Sequence, residues 1–432
     1  MKNFFYHSFL LVLWLLGSSF FSLAPAQNSG PDILHYELSL SPNIQQASIK
    51  GELTICFTAA PDMTTIQLHA GNLSIDELSS YYVKGYRKEK SSLVIQLSEQ
   101  LQGPQEIYIR YHGSPKRGLL FNPSQDQAHT VYFTDAWMPC HFEPADKATL
   151  SLNLVVPKEK QCIASGELQE IEEQGDKQLY KWKQDYETAP YTYGFAIGSF
   201  TEAKERYRDI SLNYYASKLD ETALKKVFED TPAILRFFEE KSGIPYIQNS
   251  YSQVLIGNSY QEMSGLAVFN TSYPEFVFKD SSEIHLTAHE LAHQWWGNMI
   301  TCETFGHFWL NEAMAVYMAS AFNEVRFGRE KYEADIALYK GIYEDLLKRG
   351  KDHPLVFEKW NSTRDNRNIV YYKGAYFLHL LREEMGDDTF WKCIRFYSES
   401  YWGKTVTTDD FKDAMEEISG LDLEGFFKEW VY

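Results

Sequence analysis

The chain is 432 residues long, and its hydrophobic fraction of 44% and charged fraction of 23% are those of a globular protein with length for two or three domains. The formal net charge is -18, with no basic stripe along the chain, which excludes nucleic acid and anionic membranes as expected partners because both are bound through clustered lysine and arginine. The five cysteines are widely scattered, unlike a disulfide framework.

The N-terminus has the layout of a secretory signal peptide. Lys2 precedes an apolar run from Phe9 to Leu16, and an Ala-x-Ala pattern follows at residues 24–26. An uncleaved membrane anchor is the alternative, but the run is short for a span of about 20 residues. We therefore expect residues 1–26 to be cleaved, and the protein to be exported to a periplasm or secreted without stable membrane insertion.

The first half of the remaining chain has the pattern of β-strands. From Asp32 to about Phe200, short segments alternate apolar and polar residues, and turn signals such as Gly103-Pro104 separate them. No helical period appears in this region. The pattern predicts one all-β domain of two packed sheets, which we assign to residues 27–200.

After Phe200 the pattern becomes mainly helical. Leu219–Ser242 is amphipathic at helical spacing, with Asp220 placed to cap its start, Gly243 placed to end it, and Pro232 expected to kink or divide it. Strands are predicted at residues 252–256 and 259–270. Further helices are predicted at residues 281–297, 311–327, 329–347, 372–385, 389–399 and 408–418, the last with a capping arrangement of Thr407 and Asp410. These segments indicate a mixed α/β domain over residues 201–432.

The segment HELAH at residues 289–293 carries the clearest chemical signal. Its two histidines stand four residues apart and therefore project from the same face of a helix, where both can reach one Zn²⁺ ion. A catalytic zinc site needs a third protein ligand, and Glu312 stands at a suitable distance on the next predicted helix. Glu290 points away from the ligand face, where its carboxylate can take a proton from the attacking water.

A bare HExxH pattern also occurs by chance in helices of unrelated proteins. Here an acid follows at a suitable spacing, which favours a zinc site. The connecting segment is also rich in aromatic residues, namely Trp295, Trp296, Phe305, Phe308 and Trp309.

The sequence resembles the zinc aminopeptidases of the aminopeptidase N family at HELAHQWWGNMIT and WLNEA. Further matching segments occur in the same order along nearly the whole mature chain, among them HYELSL, IKGEL, MPCHFEPADKATLSL, YGFAIGSF, VYYKGAY and DLEGFFKEWVY. The resemblance implies a multidomain α+β protein, in which a saddle-like β-domain precedes a thermolysin-like domain that holds one zinc ion. It implies peptides with a free N-terminus as substrates. The oligomeric state is left open.

The resemblance also implies roles for individual residues. His289, His293 and Glu312 match the zinc ligands and Glu290 matches the general base. Tyr371 matches the tyrosine that stabilises the transition state, with the neighbouring Tyr372 as its rival. Glu262 matches the carboxylate that holds the α-ammonium group of the substrate.

Two departures from the family pattern bear on specificity. The Gln or Glu that the β-domain usually contributes has no clear counterpart in TVYFTDAWMPC, where Asp135 is the nearest acid. The long C-terminal helical domain that usually closes the cleft has no counterpart before Tyr432, so we expect a more open cleft. We therefore expect a zinc aminopeptidase, with a zinc endopeptidase or broader peptidase as the nearer alternative and a catalytically silent binding protein as the more distant one.

Overall fold

The computed structural model of the chain describes residues 30–60, 62–98, 101 and 103–432. The expected signal peptide at residues 1–26 lies outside these residues. Within them, every helix is too short or too polar to cross a lipid bilayer. All five cysteines lie in the described part of the chain, and each has a free thiol.

The N-terminal half is built from strands in which burial alternates along the chain, as in Ala148–Pro157, because successive side chains of a strand point to opposite faces. The strands are β1 (Asp32–Asn43), β2 (Ser48–Thr58), β3 (Thr65–His69), β4 (Ser74–Ser79), β5 (Val83–Glu89), β6 (Ser92–Leu97), β7 (Pro104–Gly113), β8 (Leu119–Asn122), β9 (Gln127–Thr130), β10 (Ala148–Pro157), β11 (Gln161–Ala164), β12 (Glu167–Gln174), β13 (Lys177–Thr188) and β14 (Phe195–Gly198).

These strands form three sheets, whereas the sequence pattern predicted two. The largest has the order β12-β13-β10-β1-β2-β7-β4, a second has the order β11-β14-β9-β8, and a third has the order β3-β6-β5. Strand β1 runs parallel to β10 and antiparallel to β2. Alternation along a strand shows which face is buried but not which strands pair, so the division into sheets was not visible in the sequence.

A five-stranded sheet begins just after β14. It contains β15 (Thr201–Tyr207), β16 (Ile210–Ala216), β17 (Ser250–Leu255), β18 (Gln261–Met263) and β19 (Leu266–Phe269), in the order β15-β16-β17-β19-β18. One face, including Val254 and Val268, packs into the core shared with the N-terminal sheets. The other face, including Leu255 and Phe269, packs against the helices.

The predicted strand at residues 259–270 is two strands. Gly265 interrupts it with a φ of 74°, and β18 then pairs antiparallel with β19. A residue in the left-handed conformation ends an extended strand and allows a tight turn. Glycine adopts this conformation without steric cost.

Most of the helices contribute buried side chains to the core on the second face of the five-stranded sheet. The helices are α1 (Glu221–Val227), α2 (Thr231–Ser242), α3 (Tyr273–Lys279), α4 (His285–Ala292), α5 (Trp309–Phe327), α6 (Arg329–Lys348), α7 (Arg364–Asn368), α8 (Gly374–Met385), α9 (Asp387–Tyr401), α10 (Thr408–Ser419) and α11 (Glu424–Trp430). The predicted long helix is divided as expected: the Asp220 side chain caps α1, Pro232 lies in the first turn of α2, and Gly243 ends α2 with a φ of 76°.

Two short strands connect distant parts of this helical region. Strand β20 (Thr301–Cys302) follows α4, and it pairs in parallel with β21 (Thr405–Val406), which precedes α10. The Lys147 side chain of the N-terminal half donates hydrogen bonds to the carbonyl oxygens of Met299 (2.5 Å) and Lys404 (3.1 Å), next to these strands. The segment between α4 and α5 is thus fixed both by its pairing with β21 and by the Lys147 side chain.

Candidate metal centre

Helix α4 carries the HExxH segment but is shorter than predicted. It ends at Ala292, and His293 follows as its cap with right-handed helical dihedral angles, φ -58° and ψ -22°. The N–H groups of Gln294 and Trp295 bond to carbonyls only three residues back, and Gly297 has a φ of 137°, so the chain turns away before the predicted end at residue 297. Because His293 keeps the helical conformation, its ring still lies beside His289.

Three side chains converge on one point. The Nε2 atoms of His289 and His293 are 3.1 Å apart, and each lies 3.4 Å from Oε2 of Glu312 in the first turn of α5. A tetrahedral zinc ion with bonds of about 2.05 Å separates its ligand atoms by about 3.3 Å. The predicted ligands are the one group of His, Cys, Asp or Glu side chains in the described part of the chain that could hold a metal ion.

The surroundings of these atoms fit a metal ion. His293 Nδ1 lies 3.1 Å from the Trp296 carbonyl oxygen, so this nitrogen donates a hydrogen bond and Nε2 is the atom left to bind a metal ion. Glu312 Oε2 is buried without a hydrogen-bond partner. This donor set of two imidazoles and one carboxylate therefore fits Zn²⁺.

The pKa values of His293 and Glu312 also indicate a site that favours positive charge. The Glu312 carboxylate overcomes the effect of burial and raises the pKa of His293 to about 9. Burial would raise the pKa of Glu312, but the two histidines hold it at about 2. A buried carboxylate that stays ionised and draws a proton onto a neighbouring imidazole indicates a site that a cation would stabilise.

Glu290 lies on the same helix as His289. Burial, followed by the charge of Glu262, raises its pKa well above the usual carboxyl range. Its Oε2 atom is buried and has no hydrogen-bond partner in the structure. This oxygen is therefore available to a water molecule at the site.

Tyr371 lies in a π-helical turn, Ile369–Lys373, that leads directly into α8. Its ring stacks on the His289 ring with centroids 6.0 Å apart. Burial and the charge of Glu312 raise the pKa of its phenol, so the hydroxyl stays protonated and can donate. The rival Tyr372 stacks instead on Tyr339, with centroids 5.5 Å apart.

Glu262 lies in β18 and is 8% exposed. Burial raises the pKa of its carboxyl group to about 7, while the His293 charge opposes this shift. Gln294 fixes the hairpin to α4, because its amide accepts a hydrogen bond from Gly265 N and donates one to the Met263 carbonyl oxygen, both at 2.9 Å. The carboxylate therefore has a defined place beside the metal donors.

Two residues near Glu262 were not predicted. Gln261 bonds to the Glu262 carboxylate, and it also accepts a hydrogen bond from the Tyr132 backbone N–H. Tyr132 thus belongs to the N-terminal half yet reaches the site. Asp135, the acid considered there from sequence, is paired with Arg117 at 2.8 Å.

Two other histidines could be mistaken for ligands. His285, one turn before His289, stacks on the His289 ring at 6.4 Å and lies outside the converging donor set. His307 contacts the Thr408 hydroxyl through Nδ1 at 2.9 Å. Both histidines lie outside the group of side chains that could hold a metal ion.

Sequence comparison finds two family models on this chain. The model described as Peptidase M1 N-terminal domain matches residues 33–192, and the model described as Peptidase family M1 domain matches residues 227–430. Aminopeptidase 2 of Candida albicans is 25% identical over 92% of this chain and 46% of its own length. Leucine aminopeptidase 2 of Aspergillus oryzae is 29% identical over 66% of this chain and 47% of its own length. The chain spans about half the length of these relatives.

Solved structures show the same fold. A two-domain M1 zinc metallopeptidase bound to L-tryptophan superimposes with a TM-score of 0.79 at 20% identity, covering 94% of this chain and 95% of that chain. An M1 zinc metallopeptidase from Deinococcus radiodurans bound to a Tyr-Ser-Ala substrate gives a TM-score of 0.77 at 20% identity, covering 93% and 94%. The N-terminal β-rich region followed by a mixed α/β region is thus an architecture shared by both.

Proposed function

Because the chain belongs to peptidase family M1, we propose that it is a zinc-dependent aminopeptidase that hydrolyses the first peptide bond of its substrates. The observation that carries this proposal is the buried carboxylate of Glu262 beside the zinc donor set, since a free α-ammonium group needs an anion close to the bond that is cleaved. The names of the matched relatives support the same activity.

We assign the zinc ion to His289, His293 and Glu312, where it would polarise the scissile carbonyl group and lower the pKa of water. Glu290 accepts the proton of the attacking water through its unpartnered oxygen. It then returns this proton to the leaving amine. The base and the acid of the reaction are therefore the same carboxyl group.

Tyr371 supplies the hydrogen bond to the oxyanion. Its hydroxyl is kept protonated by burial and by the nearby carboxylates, so it can donate to the negative oxygen that develops as the carbonyl is attacked. Glu262 pairs with the α-ammonium group and thereby sets which bond reaches Glu290.

The proposal also covers the division into domains and the location of the protein. We propose a β-domain over residues 27–200 and a catalytic domain over residues 201–432, and the change of sheet between β14 and β15 supports this boundary. We further propose that residues 1–26 direct export to a periplasm or out of the cell, without stable membrane insertion. Cleavage at this point in protein isolated from its host would be seen by N-terminal sequencing.

The test is hydrolysis of one peptide, in free and N-acetylated form, by the zinc-loaded protein and by its Glu262→Ala variant. Stepwise release of residues from the free form alone, strongly reduced in the variant, is the expected result. Internal cleavage of both forms would make the protein an endopeptidase. Failure to cleave either form, with or without a chelator, would favour a binding protein.

A further inference from the structure

We propose that Gln261 is a positioning residue that holds the Glu262 carboxylate in the direction of the substrate α-ammonium group and ties it to the N-terminal domain through Tyr132. This inference rests on the proposed function, because Glu262 has an ammonium group to bind only in an aminopeptidase.

The carboxamide of Gln261 has partners on both sides. It is 5% exposed. Its oxygen accepts a hydrogen bond from Tyr132 N at 2.8 Å, and its nitrogen donates to Glu262 Oε2 at 2.8 Å and to the Glu262 carbonyl oxygen at 3.2 Å. A backbone N–H can only donate and a carboxylate can only accept, so these partners fix the orientation of the amide.

The bond between Gln261 and Glu262 is unusual for neighbours on a strand. Adjacent side chains of a strand point to opposite faces, so a bond between them requires one side chain to fold back. Gln261 has the length to do so. Because it holds one oxygen of the carboxylate, it sets the direction in which the second oxygen points.

Tyr132, the residue that Gln261 bonds to in the N-terminal domain, has a strained backbone. Tyr132 has a φ of 34°, a conformation that a bulky side chain rarely adopts. Its ring is held by aromatic neighbours, among them Tyr191 at 5.6 Å and Trp360 at 5.7 Å, and its N–H is held by Gln261. Strained backbone of this kind persists where the surroundings over-determine it, and it clusters at functional sites. Gln261 therefore links a fixed point of the N-terminal domain to the amine-binding carboxylate.

The test is a double-mutant cycle on the zinc-loaded enzyme. Gln261→Met removes all three hydrogen bonds of the carboxamide at similar volume. We expect it to lower kcat/KM for a free peptide by about tenfold, mainly through KM, because a hydrogen bond to a charged group is lost. In a Glu262→Ala background, the same substitution should have no further effect. Gln127→Met is the matched control, since Gln127 is 4% exposed and bonds to Ser217 away from the site.

Binding to a protein that carries Glu290→Gln gives a second readout, independent of turnover. Gln261→Met should weaken binding of the free peptide about tenfold and leave the N-acetylated peptide unchanged. If the Met variant fails to fold, Gln261→Leu replaces it, because this apolar side chain can bond neither to Tyr132 N nor to the Glu262 carboxylate. It should weaken binding of the free peptide at least as much.

The outcomes separate the two proposals. If Glu262→Ala lowers activity but Gln261→Met does not, or if the two effects simply add, the positioning role of Gln261 is wrong and the aminopeptidase proposal stands. An equal loss of binding for free and acetylated peptide would also make Gln261 only structural. If Glu262→Ala has no effect on the free peptide, the amine anchor is wrong and Gln261 loses its role with it.

Discussion

Glu290 and Tyr371 lie on different helical segments, and in the proposed mechanism both act on the same reacting group. Glu290 presents a buried oxygen without a partner, whereas Tyr371 presents a hydroxyl that its surroundings keep protonated. One group can accept a proton and the other can donate a hydrogen bond. Substitutions that replace or remove only this oxygen in each residue should therefore affect the chemical step more than binding.

Glu290→Gln should reduce turnover at least about a hundredfold while zinc stays bound, because the amide cannot accept the proton. Metal content and kcat measured on the same sample check this. Glu283→Gln, on an exposed glutamate just before α4, is the control and should retain activity. Loss of zinc from the Glu290 variant, or full activity in it, would contradict the role of general base.

Tyr371→Phe should lower kcat by two to three powers of ten, approximately the effect of losing one oxyanion donor, with a smaller effect on KM. Tyr372→Phe is the matched control, because this ring stacks on Tyr339 rather than on His289. A larger loss in the Tyr372 variant would exchange the two assignments, and a change in KM alone would make Tyr371 a binding residue.

The sequence predicts this site unevenly. His289 and His293 converge because helical spacing alone brings them together, and Glu312 follows on the next helix, so local patterns suffice. Tyr371 required the family resemblance, because nothing local distinguishes it from other tyrosines. Gln261 could not be found, since its partner Tyr132 lies 129 residues away along the chain.

Among the elements, α10 shows how a local signal supports the site. Its capping box is present as predicted: the Thr407 side chain accepts from Asp410 N, and the Asp410 side chain accepts from Thr407 N. The next residue, Thr408, accepts a hydrogen bond from Trp309 Nε1 at the start of α5. The cap therefore fixes the end of α10 that contacts α5, the helix that carries Glu312. Short helices such as α7, with five residues, were not predicted because they contain too few turns to show a period.

Thr407→Ala should lower the free energy of unfolding by about 1 kcal/mol, because it leaves the N–H group of Asp410 without its cap. Thr407→Ser keeps the hydroxyl group and should change stability much less. Denaturant unfolding of the three proteins measures the difference. Equal losses in both variants would show that the methyl group, rather than the hydrogen bond, matters.

At the scale of the whole molecule, the division into strands and helices was predictable but the pairing was not. Alternation and helical spacing are local patterns, whereas the three N-terminal sheets depend on contacts between distant segments such as β1 and β10. The metal donors likewise connect α4 to α5, and both helices contribute buried side chains to the larger core. A bound ion should therefore stabilise the fold as a whole.

Removing the metal with a chelator should lower the melting temperature by several degrees, since a ligand at 100 times its Kd contributes about 2.7 kcal/mol. Added Zn²⁺ should restore it and Mg²⁺ should not, because Mg²⁺ prefers oxygen ligands. His293→Ala provides the control in thermal unfolding. A shift of the same size in that variant would mean that the chelator acts elsewhere.

The pairing of β20 with β21 also orders events during biosynthesis. The segment between the second and third metal donors, which contains β20, leaves the ribosome well before β21. Domains fold in the order in which they are made, so the N-terminal sheets can form first. The nascent donor loop lacks its neighbouring strand until β21 has been synthesised, so we expect the metal centre to mature late, after most of the chain has been made.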